Sequence, residues 1–339
     1  MPSRRSVMKA GLLSAALAPT GAFAQPAAGA RKPYAGPHEL PRGLTLLAIR
    51  GADGRDTLGV KTEAGILDVA AAAHALNMQA PLTLEELLKE GNGPGLTALV
   101  KAAGTSAQAK SAYHDESRIT FGRLLTSPNK IVCVGLNYKE HVEEAGENLP
   151  KEPILFNKYD NTLAPHQCTI KLPPRDVSTK FDYETELVIV MGKAARNVSE
   201  ADALSYVAGY AVGNDFSSRD LQLEKGGQWM IGKTLDDFAP IGPYFVSADL
   251  VDPNNLTIET RVNGEVRQSS NTSKFIFNPQ KVIAYTSRLF TLAPGDIIFT
   301  GTPSGVIIGY PKDKQVWLKA GDKIESTIEK LGTLKFDLA

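Results

Sequence analysis

The chain has 339 residues, 42% apolar and 7% aromatic, with 30 Gly, 21 Pro and two Cys. This ordinary globular composition excludes a disordered, collagen-like or disulfide-scaffold protein. Its 37 basic and 37 acidic groups cancel, which argues against a protein whose main task is to hold nucleic acid or an anionic membrane and favours a small-molecule ligand.

In chain order, residues 1–24 read as a secretory signal. Arg4, Arg5 and Lys9 precede a short apolar run from Ala10 to Ala18, and Ala22-Phe23-Ala24 forms a small-x-small cleavage pattern. The run is well short of the ~20 residues that span a bilayer, so no stable membrane insertion is expected. The arginine pair within Ser3-Arg4-Arg5 resembles a twin-arginine signal more than a plain Sec signal, which places the protein in the periplasm or outside the cell. Cleavage leaves 34 basic against 37 acidic groups. A chain exported already folded would have buried Cys133 and Cys168 as thiols, so no disulfide is expected. Residues 25–43, rich in Pro, Ala and Gly, read as a flexible tether.

Residues 44–127 read as a small α+β region. Leu44 to Ile49 and Gly65 to Val69 look like strands around an Asp53-Gly54 turn, and Thr83 to Leu88 and Gly95 to Ala109 look helical. Residues 128–339 are dense in β-branched runs. Strands are expected at Ile131 to Gly135, Ile154 to Asn157, Tyr183 to Met191, Ala208 to Asn214, Ile241 to Ser247, Leu256 to Val262, Ile297 to Thr300 and Lys323 to Ile328. Asn263-Gly264 is a hairpin turn with Thr257 to Val262 and Glu265 to Gln268 as arms. Helices are few: Lys139 to Ala145, Ser199 to Tyr206, and Pro279 to Leu292 with an apolar stripe of Val282, Ile283, Leu289 and Leu292. Strands in runs, without regular strand–helix alternation, point to a mainly β, mainly antiparallel architecture with peripheral helices.

The chemistry concentrates in Asp182 to Val190. Residues two apart share a strand face, so Glu184 and Glu186 project together, with Asp182 before them. Adjacent carboxylates at the start of an apolar strand repel unless a cation joins them. Asp215, closing a second apolar strand, supplies a third acid. Oxygen ligands without His or Cys suit a hard cation, Mg²⁺, Mn²⁺ or Ca²⁺; the five histidines show no zinc-site spacing. Gly227 to Thr234 fits the letters of a phosphate loop, yet Glu224-Lys225 before it and Asp236 to Pro240 after it contradict the strand–loop–helix context. Gly301 to Gly305 is not a serine-hydrolase elbow.

The ordered series Gly135-Leu136-Asn137-Tyr138 with His141, Glu184-Thr185-Glu186, Asn214-Asp215 to Arg219 and Gln222, Gly232-Lys233, Pro294-Gly295-Asp296 and Gly301-Thr302 to Val306 resembles the fumarylacetoacetate hydrolase family from about Lys130 onward. The resemblance implies a mixed β-sandwich roll, a divalent metal on Glu184, Glu186 and Asp215, and commonly a homodimer. It also implies that His141 works with Glu144 on a lid helix to activate water, that Lys233, Arg219 and Gln222 offer polar contacts to a keto-acid substrate, and that the Thr302 hydroxyl lies near the substrate carboxylate. Arg219 has a structural alternative, an ion pair with Asp220 or Asp215, and Asp182 has one as a support for the ligands. Asn137 stands where fumarylacetoacetate hydrolase itself has a metal-binding Asp. This three-carboxylate pattern is similar to the acylpyruvate hydrolase, oxaloacetate decarboxylase and hydroxymuconate isomerase branch. In that chemistry a cation gripping an α-keto acid withdraws electrons and holds the enolate. The expectation is hydrolysis of a carbon–carbon bond in an acylpyruvate or related β-diketo acid. The alternatives are decarboxylation or isomerisation of a related keto or enol diacid, or an exported binder of keto acids without activity.

Overall fold

The computed structural model describes residues 34–339, so the expected signal and most of the expected tether lie outside the described residues. The last tether residues are docked. Glu39 donates its N–H to the Gly91 carbonyl at 2.8 Å and accepts from Gly93 at 3.2 Å, and Leu40 packs against the core.

The first strands, Thr45–Arg50 and Asp56–Thr62, form a hairpin with Leu46 opposite Val60. Its turn is closed by Gly54 donating to the Gly51 carbonyl. Gly65–Asp68 follows as a third strand, and there the expected strand stops one residue early. The Asp68 side chain accepts from Ala71 N–H and caps the helix Val69–Ala75. Thr83 caps Leu84–Glu90 by accepting from Glu86 N–H, and Gly91 ends that helix in the left-handed conformation at φ +66°. The helix expected to reach Ala109 runs Gly93–Thr105, where extended Ser106 breaks it before a 3₁₀ turn at Ala107–Ala112.

These amino-terminal strands do not stand apart. Thr45–Arg50 pairs antiparallel with Ala239–Ser247, Leu46 opposite Phe245, and so joins an eleven-stranded sheet. From Ala239–Ser247 the sheet continues through Val207–Asn214, Thr185–Met191, Ile297–Phe299 and Ile131–Gly135 to the edge strand Ile154–Lys158. A second sheet of five strands contains the hairpin Thr257–Val262 and Glu265–Asn271, then Lys323–Ile328, Gly332–Leu338 and Cys168–Ile170. Asn263 and Gly264 both take positive φ, 52° and 84°, as a two-residue hairpin turn requires. Pairing is mostly antiparallel; Ile131–Gly135 runs parallel to Ile297–Phe299.

The long strands read as unbroken apolar runs because both of their faces are covered. In Thr185–Met191, Leu187, Ile189 and Met191 face the second sheet with Ile258, Ile324 and Phe336. Val188 and Val190 face the other way, in the cluster that takes in Leu87, Leu96 and Leu99 of the amino-terminal helices. Helix content differs in detail from expectation. Ser199 to Tyr206 contains only a 3₁₀ turn, Ala203–Tyr206, and Arg219–Glu224 is a helix that periodicity did not reveal. Pro279–Leu289 stops short of Leu292, leaving Leu289 exposed and outside the buried stripe. The architecture is a mainly β sandwich of mixed sheets with peripheral helices.

Candidate metal centre and catalytic dyad

Glu184 lies in the break between the two-residue strand Phe181–Asp182 and Thr185–Met191, and Asp215 follows directly on Val207–Asn214. Two bonds stitch the segments: Asp215 N–H to the Glu184 carbonyl at 2.8 Å, and Glu184 N–H to Asn214 Oδ1 at 3.1 Å. Glu184, Glu186 and Asp215 thereby converge in the interior, each able to offer an oxygen within 4.8 Å of the others.

Three cations enter this acidic nest. Lys233 Nζ donates to Glu184 Oε2 and Asp215 Oδ2, both at 2.8 Å. Lys158 Nζ donates to Asp215 Oδ1 at 2.6 Å. Arg219 pairs through Nε with Asp182 Oδ2 at 2.8 Å and through NH2 with Glu184 Oε1 at 2.7 Å. The ion pair considered from sequence, Arg219 with Asp220 or Asp215, is therefore corrected. Asp220 instead accepts from Ser178, Ser218 and the Thr179 N–H, and the guanidinium turns inward because Asp182 and Glu184 are the acids buried beside it. Asp182 accepts from the N–H groups of Tyr183, Ile307 and Ile308 as well, so it braces the loop after Thr302 and stands outside the triad.

Glu186 differs from its neighbours. Its bonded partner is the Gly301 N–H, at 2.6 Å on Oε2, from a glycine held at φ +95° where a side chain would meet Asn137. Burial, then the charges of Asp215 and Glu184, push the Glu186 carboxyl well above the usual carboxylate range. For Glu184 burial acts in the same sense, but Lys233, Arg219 and His141 outweigh it and hold the group well below that range. Burial would likewise lower Lys233; Asp215 and Glu184 reverse that and raise it. A buried carboxylate with no cation of its own, beside two others and among oxygen donors, fits a hard divalent ion held by Glu184, Glu186 and Asp215.

The pH consequence follows by linkage. A carboxyl raised in the native state binds a proton there that the unfolded chain has already lost. Metal-free protein should therefore lose stability as pH climbs from the ordinary glutamate value, about 4.3, toward the raised value of Glu186, and Mn²⁺ should restore more stability at higher pH. Melting curves with and without Mn²⁺ across this range check it; a metal-free Tm that rises through the window contradicts the assignment.

On the helix Lys139–Glu144, His141 and Glu144 meet at 2.8 Å, Nδ1 to Oε1. Glu144 also accepts the Gly305 N–H at 2.9 and 3.2 Å, and the Gly305 carbonyl accepts the hydroxyls of Tyr183 and Tyr310 at 2.9 and 3.1 Å. The dyad is thus tied to the loop after Ile297–Phe299. Gln222 Oε1 accepts from Arg219 NH1 at 2.9 Å. The Thr302 hydroxyl donates to the Thr185 carbonyl and accepts from Gln268 Nε2, each at 2.9 Å. Its only proton is committed inside the protein in this arrangement.

Asn137 shows why an amide suits its position. Its Nδ2 donates to the carbonyls of Phe277 and Thr300 at 3.0 and 2.7 Å, while Oδ1 accepts Phe277 N–H at 2.8 Å. A carboxylate there has no hydrogen to donate. Asn137→Asp should cost about 2–5 kcal/mol through two deprived buried carbonyls and a buried charge, read as a lower denaturation midpoint; an unchanged midpoint would contradict this role.

Two contributors were not marked as site residues by sequence reasoning. Lys158 ends the Ile154–Lys158 strand, and its partner Asp215 is 57 positions away. Trp229 packs on Gly135 and, edge-on at 5.8 Å, on Phe156, whose ring lies 5.3 Å from Lys233 Nζ. Together they wall the charged nest with apolar surface. The phosphate-loop look-alike ends in a 3₁₀ turn, Trp229–Gly232, and delivers Lys233 to carboxylates. Cys133 and Cys168 are free. No helix among the described residues is long and apolar enough to cross a membrane.

Residues 130–339 match the model of the fumarylacetoacetate (FAA) hydrolase C-terminal family. The chain is 40% identical over 271 residues to a mitochondrial oxaloacetate tautomerase, Fahd2a of Rattus norvegicus, covering 80% of this chain and 82% of the relative. The fumarylacetoacetate hydrolase of psychrophilic Exiguobacterium antarcticum superposes with a TM-score of 0.72 at 31% identity, over 87% of this chain and 99% of that one. The fumarylpyruvate hydrolase of Pseudomonas aeruginosa, solved with Mn²⁺ and pyruvate, superposes with a TM-score of 0.56 at 32% identity, over 67% and 93%. With the sandwich, the three buried acids and this match over more than half of its length, the chain belongs to the fumarylacetoacetate hydrolase family.

Proposed function

We propose that the protein is a divalent-metal-dependent tautomerase of oxaloacetate or a closely related keto diacid, moving a proton between the carbon beside the keto group and the enol oxygen. The observation that carries this reading is the His141–Glu144 pair held at 2.8 Å beside a carboxylate triad; the likeness to oxaloacetate tautomerases supports it. Bound at Glu184, Glu186 and Asp215, a divalent ion would draw electron density from the substrate's keto and carboxylate oxygens and so acidify the adjacent C–H bond. The chain's own residues do the rest. Glu144, anchored by Gly305, fixes His141 through Nδ1, which leaves Nε2 as the ring atom that takes and returns the proton. Lys233 offers N–H donors to developing negative charge on the substrate oxygens.

Hydrolysis of an acylpyruvate, the reaction first expected from sequence, is the second reading. It needs the same dyad to deprotonate water, and the likeness to fumarylpyruvate hydrolase favours it. One experiment separates the two. Mn²⁺-loaded protein is given enol-oxaloacetate and acylpyruvates in parallel, following enol absorbance and analysing products by mass spectrometry. Faster loss of the enol band with the carbon skeleton intact supports the tautomerase. Pyruvate plus a free acid from acylpyruvates, with no effect on oxaloacetate, supports the hydrolase. No turnover of either substrate overturns both readings and leaves a binder.

A further inference from the structure

We propose that Lys158 is a positioning residue that sets the charge of the metal pocket: it holds the loaded pocket one unit positive, so that it retains an anionic keto acid without binding the metal too tightly. This inference rests on the metal-dependent reading above.

Four buried carboxylates, Asp182, Glu184, Glu186 and Asp215, share their space with three buried cations, Lys158, Lys233 and Arg219. With every group ionised the nest carries one net negative charge, and a divalent ion brings it to one net positive. The more exposed His141–Glu144 pair sits at its rim and lies outside this count. The three cations differ in what they can do. Lys233 bridges Glu184 and Asp215, the oxygens an incoming ion would compete for, so it is the cation free to swing toward substrate. Arg219 is fixed to Asp182 and Glu184.

Lys158 is different again. Its side chain is fully enclosed, and its two acceptors are Asp215 Oδ1 at 2.6 Å and the Phe216 carbonyl at 3.3 Å. It bonds the Asp215 oxygen that Lys233 does not, so that Oδ2, held by Lys233, is the oxygen for which a metal would compete. The Lys158 ammonium is spent on these two internal acceptors, and its charge lies one carboxylate away from where the ion would sit, where enclosure weakens screening. It therefore repels the metal while strengthening the pull on an anion that binds with it.

The test measures binding by calorimetry, with Mn²⁺ alone and then with oxalate, a small dianion presenting two oxygens on adjacent carbons, added to Mn²⁺-loaded protein. For Lys158→Met and Lys158→Gln we expect Mn²⁺ affinity to rise at least about tenfold and oxalate affinity to fall at least about tenfold. Lys158→Arg, which keeps the charge, should leave both within about threefold of the parent. Opposite shifts are the signature, because damage to the fold alone weakens both ligands together.

The proposal is overturned if both affinities fall together in the neutral variants, if both stay within threefold, or if Lys158→Gln alone behaves like the parent, since a hydrogen bond would then suffice without charge. Failure of both neutral variants to fold even with Mn²⁺ present also overturns it, by making Lys158 a folding element. A parent protein that binds no Mn²⁺ sinks the metal-dependent reading itself, whereas normal parent binding with unmoved variants removes only the role given to Lys158.

Discussion

Glu186→Gln is expected to abolish catalysis, by on the order of 10³-fold or more, while making the metal-free protein more stable. The two effects have one origin. Glu186 is buried beside Asp215 and Glu184, and its carboxyl is pushed well above the ordinary range by burial and by those two charges. A neutral amide of the same shape removes that repulsion, and its oxygen can still accept the Gly301 N–H now bonded to Oε2 at 2.6 Å. The same change removes one of three anionic donors, so Mn²⁺ affinity should fall by on the order of 100-fold or more. Calorimetry, a metal-free melting curve and an enol-decay assay on one preparation read all three. A raised metal-free Tm with lost Mn²⁺ binding is the expected pattern, a native site strained until its ion arrives. Undiminished Mn²⁺ binding would remove Glu186 from the ligand set.

The buried acidic triad was legible because it violates the pattern around it. Charged residues are anomalous at the mouth of a strand that continues as Leu187 to Met191 with both faces buried, and Asp215 is anomalous at the end of Val207–Asn214. Lys158 gave a weaker signal: the segment Ile154 to Lys158 is similar to the family's Phe-x-Lys strand, but no charge pattern around the lysine marked it as part of the site. It ends a strand whose Ile154 and Asn157 are exposed, and a lysine there reads as ordinary solvation until folding brings Asp215 to it. The strand Asp56–Thr62 escaped notice because Asp56, Thr57, Lys61 and Thr62 dilute its apolar centre. Gly332–Leu338 did carry a period-two signal, with Leu334, Phe336 and Leu338 inward and Lys335 and Asp337 outward. The change of composition near residue 128 suggested a boundary, yet Thr45–Arg50 hydrogen-bonds to Ala239–Ser247. Pairing between strands so distant in sequence leaves no local trace.

His141→Ala should lower turnover by about 10²–10⁴-fold while changing Mn²⁺ affinity far less, because the imidazole bonds to Glu144 and to none of the three carboxylates proposed as ligands, acting on Glu184 through charge alone. Glu144→Gln is the more informative companion. Its amide keeps one oxygen that can accept from His141 Nδ1 or from Gly305 N–H, whereas the two carboxylate oxygens of Glu144 now satisfy both together at 2.8 and 2.9 Å. The loss should be smaller, roughly tenfold to 100-fold. The double variant should be no slower than His141→Ala, since a residue that acts only by orienting the histidine has nothing left to orient. A double variant slower by the product of the two losses would give Glu144 an independent task. His141→Ala at full rate, with Mn²⁺ bound, would move the proton transfer to another group, and Lys233, which already reaches two of the three carboxylates, would be the side chain to examine next.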